Sequence, residues 1–218
     1  MRYFNLSLIC CSILLAIPST SAADLVQDAG FEDSNSSLFW MAFGTADLDA
    51  PAPGIDPVEG TEVLQLVGNG DATFSIALQD IPVDGMSISV GDRVTLSGIL
   101  GHTSNDPLGG SNTAFLEVSF VDAANNEFMD SMFQSARLDA TSPTDVYLNG
   151  VTSSAIVPSN AVAVRVKAIF EELSVNDNGL SGSAFVDNVD LTVVSVPEPA
   201  AGLLIATGLA ILFARRKR

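Results

Sequence analysis

The side chains able to do chemistry in this sequence are mostly carboxylates. The chain holds 26 Asp and Glu against nine Lys and Arg, with a single histidine, His102. An imidazole zinc site or a Ser-His-Asp triad would rest on His102 alone. No Gly-x-Ser-x-Gly elbow and no phosphate loop occurs. Paired carboxylates can hydrolyse glycosidic bonds or hold a hard cation. One carboxylate has a distinctive setting. Asp187 lies in Ala184-Phe185-Val186-Asp187-Asn188-Val189-Asp190-Leu191. Phe185, Val189, Leu191 and Val193 share strand parity, and Asp187 shares it with them. That parity predicts a carboxylate facing the core, where it needs a cation or several hydrogen-bond donors. A bound cation and backbone amides of the first loop both meet the need.

The elements that position these groups read as strands. Ala161 to Phe170 alternates with period two, placing Val162, Val164, Val166 and Phe170 on one face and Arg165 and Lys167 on the other. Thr113 to Val121 alternates too, with Leu116, Val118 and Phe120 opposite Glu117 and Ser119. Arg93–Gly98 and Glu62–Leu66 are shorter versions, and further strands are expected over Phe39–Thr45, Thr73–Leu78, Phe128–Phe133, Val146–Ile156 and Ala184–Val194. Turn clusters such as Gly68-Asn69-Gly70-Asp71 and Asn176-Asp177-Asn178-Gly179 separate them. No amphipathic helix of useful length is evident. Many short strands in one domain predict an all-β sandwich or barrel.

Both ends of the chain differ from this middle. Arg2, the apolar run Leu6 to Ile17, and the small residues before Ala23 predict a signal peptide over 1–23, removed by signal peptidase after Ala22 or Ala23. Cys10 and Cys11 fall within it, so the exported chain is expected to have no thiol and no disulfide. Residues 24–195 carry four basic and 25 acidic side chains, a net charge of −21. Nucleic acid is excluded as a partner by that charge. Ala200 to Ala214 is uncharged and apolar all round. As a helix it would span roughly 22 Å, with the basic tail snorkelling to the interface, which predicts a single transmembrane helix held transiently in the inner membrane.

Pro197, Glu198 and Pro199, then that apolar segment, then Arg215, Arg216, Lys217 and Arg218 at the terminus, resemble the PEP-CTERM sorting signal over 196–218. The resemblance implies recognition and processing by an exosortase, and placement in the cell envelope or outside the cell, often with exopolysaccharide. The signal is an address and does not specify what the cargo does.

The cargo has its own resemblance. Gly30-Phe31-Glu32 followed by Trp40, the glycine-led strand Gly60-Thr61-Glu62-Val63-Leu64, Val157-Pro158 before Ala161, and Phe185-x-Asp187-Asn188-Val189-x-Leu191 are similar to galactose-binding-like jelly rolls of carbohydrate-binding modules. This implies a jelly-roll β-sandwich over 24–195. It also implies a structural Ca²⁺ near the chain ends, at positions matching Glu32, Glu59 or Glu62 and Asp187, with Gly30 offering a carbonyl. Sugar-gripping aromatics would have to be Trp40 and Tyr147, the one Trp and the one Tyr of the exported region. The expectation is therefore a noncatalytic envelope or matrix protein. A polysaccharide-binding module is the alternative reading, and a small polysaccharide hydrolase the third.

Overall fold

The computed structural model describes residues 25–55, 60–68, 74–85, 87–173 and 182–196. The expected signal peptide, Glu59, the loop at 176–179 and the 197–218 tail lie outside these residues. Among the described residues twelve strands follow in chain order: β1 Met41–Phe43, β2 Thr45–Pro51, β3 Glu62–Val67, β4 Phe74–Pro82, β5 Arg93–His102, β6 Thr113–Val121, β7 Phe133–Gln134, β8 Leu138–Asp139, β9 Val146–Val151, β10 Ala155–Ile156, β11 Ala163–Glu171 and β12 Ser183–Val194. Helical structure among the described residues is limited to two single turns, Ser36–Leu38 and Met129–Ser131. The second takes up half of the strand expected at Phe128–Phe133. The strand expected at Val146–Ile156 is divided into β9 and β10. Gly44, at φ +70°, separates β1 from β2, and a Cβ there would meet the Phe74 carbonyl at 2.3 Å.

Two six-stranded antiparallel sheets stack face to face. One runs β1-β4-β11-β6-β7, with β8 also on β6; the other runs β10-β5-β12-β3-β2, with β9 also on β5. The alternating apolar residues fill the space between them: Val164, Val166, Ala168 and Phe170 from β11, Leu116, Val118 and Phe120 from β6, Leu64 and Leu66 from β3, and Leu96 and Leu100 from β5. Such residues each contribute about 1.5–3 kcal/mol on full burial. With both cysteines at positions 10 and 11, the described sandwich is held by this core and its strand ladders.

Strand β12 departs from simple alternation. Its pairing with β5 shifts register between Asp187 and Asp190, and Asn188 takes φ 51°. This is a β-bulge, which adds one residue and so reverses the facing of everything beyond it. Ala184 and Val186 face the core before the bulge; Val189 and Leu191 face it afterwards. Phe185 and Asp187 therefore point to the opposite face from Val189, and the core facing expected for Asp187 from parity does not hold. Asp187 is nonetheless 0% exposed. It is covered from outside the sandwich.

Candidate functional site

The outer face of the β5 sheet gathers polar side chains from five strands. Cross-strand register aligns Tyr147, Gly101, Phe185, Gln65 and Asp47 in one row, because each directly opposes the next on β9, β5, β12, β3 and β2. The next row holds Asn149, Ile99 and Asp187, and the one after it Val151, Ser97 and Asp190. Opposed residues share a face, so these three rows form one surface. An open depression of about 450 Å³ lies on it, lined by Ser97, Gly98, Ile99, Asn149, Val151, Asn188 and Asp190. The bulge contributes directly by turning Asn188 and Asp190 into this lining. The lining combines amide, hydroxyl and carboxylate groups with the flanks of Ile99 and Val151, a mixture suited to a polyhydroxylated ligand.

A thin apolar layer covers one end of the same face. Ala50, Ile55, Val63, Ile99 and Phe185 are buried yet lie outside the main core. Gly101 makes room for it: a Cβ there would stand 3.0 Å from the Tyr147 ring and 3.2 Å from Ile55 Cδ1. The Tyr147 hydroxyl is buried and has no hydrogen-bond partner among the described residues. Burial, and secondarily the Asp187 charge, push its pKa up, so it stays protonated and remains a donor.

Asp187 and Glu32 meet across Gly30. A Cβ on Gly30 would lie 3.6 Å from Asp187 Oδ1 and 3.7 Å from Glu32 Cγ. The Glu32 carboxylate accepts from the Thr61 amide at 2.9 and 3.1 Å and from the Glu62 amide at 2.9 Å. Gly60 adopts φ +61° beside it, and a Cβ there would overlap Glu32 Cδ at 1.9 Å. Asp187 Oδ1 accepts from the Asn188 amide at 2.7 Å, and the Val189 amide donates to the Ala29 carbonyl at 2.9 Å. Of the expected calcium residues, Gly30, Glu32 and Asp187 are thus adjacent, and Glu62 joins them through its backbone. Backbone amides thus hold the Glu32 carboxylate and one oxygen of Asp187. No group of three or more His, Cys, Asp or Glu side chains arranged to hold a metal occurs among the described residues. Two carboxylates alone fall short of the six to eight oxygens of a calcium shell.

Trp40 and His102 belong to the framework. Trp40 is 1% exposed, packs 5.1 Å from Phe31 between ring centroids, and donates Nε1–H to the Gln27 and Asp28 carbonyls at 3.1 and 3.2 Å. Its ring offers no surface platform, whereas Tyr147 does stand on the outer face. His102 is fully buried; Nδ1 accepts from the Leu108 amide at 3.1 Å, which assigns the proton to Nε2 and directs it to the Ser142 carbonyl at 3.0 Å. Both ring nitrogens are occupied, so His102 presents neither a base nor a ligand.

The sequence reading had no marker for Ser97, Asn149, Asn188 or Asp190. Alternation of Thr95, Ser97 and Ile99 with Val94, Leu96 and Leu100 does signal a second face. Its assembly from strands far apart in the chain leaves no local trace.

Comparisons with known proteins bear on both parts of the chain. A family model described as the PEP-CTERM protein-sorting motif matches residues 195–218. No curated protein matches the chain significantly. Among solved structures, the family 22 module of Paenibacillus barcinonensis Xyn10C, a xylan-binding domain, superposes with TM-score 0.51 at 10% identity, covering 77% of this chain and 93% of the module. The C-terminal family 22 module of Clostridium thermocellum Xyn10B gives TM-score 0.51 at 17% identity, covering 78% and 94%. A tailspike domain of bacteriophage CBA120 matches with TM-score 0.52 at 15% identity; the match covers 78% of this chain but 21% of that one. At these identities the likeness is one of fold. Among the described residues no helix is long and apolar enough to cross a membrane. The chain thus carries a PEP-CTERM protein-sorting motif at 195–218 behind an all-β sandwich with the fold of family 22 carbohydrate-binding modules.

Proposed function

We propose that this protein is an exported, exosortase-processed envelope or matrix protein whose sandwich binds a polysaccharide without cleaving it. The observation that carries the reading is the depression on the outer β5 sheet, where Ser97, Asn149, Asn188 and Asp190 converge beside Ile99 and Val151. Hydroxyl, amide and carboxylate groups match the donors and acceptors of a sugar chain, while the apolar flanks match its C–H faces. The fold likeness to binding modules supports this use of the face. In this reading signal peptidase removes 1–23, Ala200 to Ala214 holds the precursor in the inner membrane, and an exosortase acts near Pro197-Glu198-Pro199. An association with exopolysaccharide would follow from the same route.

The test is affinity electrophoresis of the full chain against a panel of neutral plant and bacterial polysaccharides, beside Asn149→Ala. Retardation by at least one polysaccharide, lost in Asn149→Ala, is the expected outcome. Retention of full binding by that variant would place the ligand elsewhere. Mass spectrometry of the protein from its native host tests the sorting half; an intact Arg218 terminus outside the cell would refute it. A structural Ca²⁺ is also proposed, held by Asp187, Glu32 and the Gly30 carbonyl with further carbonyl or water oxygens; the amide contacts above are the competing account of the same carboxylates.

A further inference from the structure

We infer that the depression selects sugars bearing a protonated amine over acidic sugars, with Asp190 as the specificity-determining residue. This rests on the carbohydrate-binding reading and narrows it to a substrate class. The argument begins with where the charges lie. Residues 24–195 contain four cations: Arg93, Arg137, Arg165 and Lys167. Three of them stand on the outer face of the other sheet, and each is already paired there. Arg165 grips Asp80 through two bonds of 2.7 Å; Lys167 holds Glu117 at 2.7 Å and also contacts Glu127; Arg137 contacts Glu171 and lies 4.2 Å over the Phe115 ring.

The face with the depression has the opposite balance. Asp190 lines the depression, Asp187 is buried one row behind, and Asp47 ends the row beyond. The remaining cation, Arg93, shares the β5 face but opposes Val194, four residues before Ser97. Four residues of strand separate their Cα atoms by about 13 Å, and Arg93 is not among the residues that line the depression. An anionic sugar entering the depression therefore meets Asp190 with no cation in the lining. An ammonium group meets one. Asp190 is half-buried and receives one bond, from the Thr192 hydroxyl at 3.0 Å to Oδ2. Its carboxylate is thereby oriented, and in so acidic a domain the surrounding field adds to its pull on a cation.

The experiment measures binding of the full chain to three probes of matched length: a glucosamine oligosaccharide, its fully N-acetylated counterpart, and an oligogalacturonate. Two variants remove one negative charge each: Asp190→Asn in the depression, and Asp130→Asn, exposed in the turn before β7 on the other sheet. The expected result is tighter binding of the amine form than of the N-acetylated form, with no binding of the oligogalacturonate. The amine preference should fall about threefold or more in Asp190→Asn, in line with one partly exposed ion pair, and hold in Asp130→Asn. An unchanged circular-dichroism spectrum and thermal midpoint show that Asp190→Asn is folded, and the ratio of amine to N-acetyl affinity is the readout. Equal affinity for amine and N-acetylated probes, or equal loss in both variants, would overturn the selectivity while leaving sugar binding in place. Failure of all three probes and of the neutral polysaccharide panel would overturn the carbohydrate reading and this inference with it.

Discussion

Replacing Tyr147 with Phe should stabilise the protein, against the usual sign for a truncation. The Tyr147 hydroxyl is buried and unpartnered among the described residues, while its ring packs over Gly101 beside Ile55. Tyr147→Phe keeps the ring and removes the orphan hydroxyl. A buried polar group without a partner costs about 1–3 kcal/mol, so a gain of about 1 kcal/mol is expected at the low end of that range. The low end is appropriate because the residue as a whole is only half-buried. For a domain of this size each kcal/mol shifts the thermal midpoint by about 2–4 °C. Differential scanning calorimetry at fixed protein concentration and ionic strength measures that rise. A midpoint lowered by 2 °C or more, on the order of the shift itself, would refute the assignment and indicate that the hydroxyl has a partner.

Other consequences follow from the first loop and the turns. Gly60→Ala should cost about 1–3 kcal/mol, since it combines φ +61° with a clash on Glu32. The loss should shrink in a Glu32→Ala background, where the clashing carboxylate is gone, and urea titration of the single and double variants measures that coupling. Asp139 is held below its ordinary value of 3.8 by bonds from the Thr141 hydroxyl and amide, and then from Ser142. A lowered folded pKa means stabilisation that is present above pH 3.8 and lost as pH falls through the folded value. The stability gap between the native chain and Asp139→Asn should therefore be open at neutral pH and close in acid, as followed by midpoints across that range. Finally, millimolar Ca²⁺ should raise the midpoint beyond Na⁺ of equal ionic strength if Asp187 and Glu32 hold the ion, by about 2.7 kcal/mol at a hundredfold excess over Kd. An equal response to Na⁺, or an undiminished Ca²⁺ response in Asp187→Asn, would show that Asp187 does not hold the ion.

The sequence by itself determined the all-β class, because each long strand carries its own two-residue period; the choice of a sandwich over a barrel came from family likeness. Val164, Val166 and Phe170 on β11, and Leu116, Val118 and Phe120 on β6, declare their inner face without reference to any partner. It determined the sorting motif as well, since Pro197 to Arg218 is read as a linear string. Its grouping of Gly30, Glu32 and Asp187 came from family likeness, and these residues do lie together. Which way Asp187 points was a different kind of question. Strand parity carries through only while the ladder stays in register, and the shift between Asp187 and Asp190 is set by how β12 pairs with β5 some ninety positions earlier. One added residue at Asn188 turned Phe185 and Asp187 outward and kept Val189 and Leu191 inward. The same bulge placed Asn188 and Asp190 beside Ser97 and Asn149. Local propensity writes the alternation of a strand. The face that two distant strands build together depends on the register between them, and only the tertiary structure fixes that.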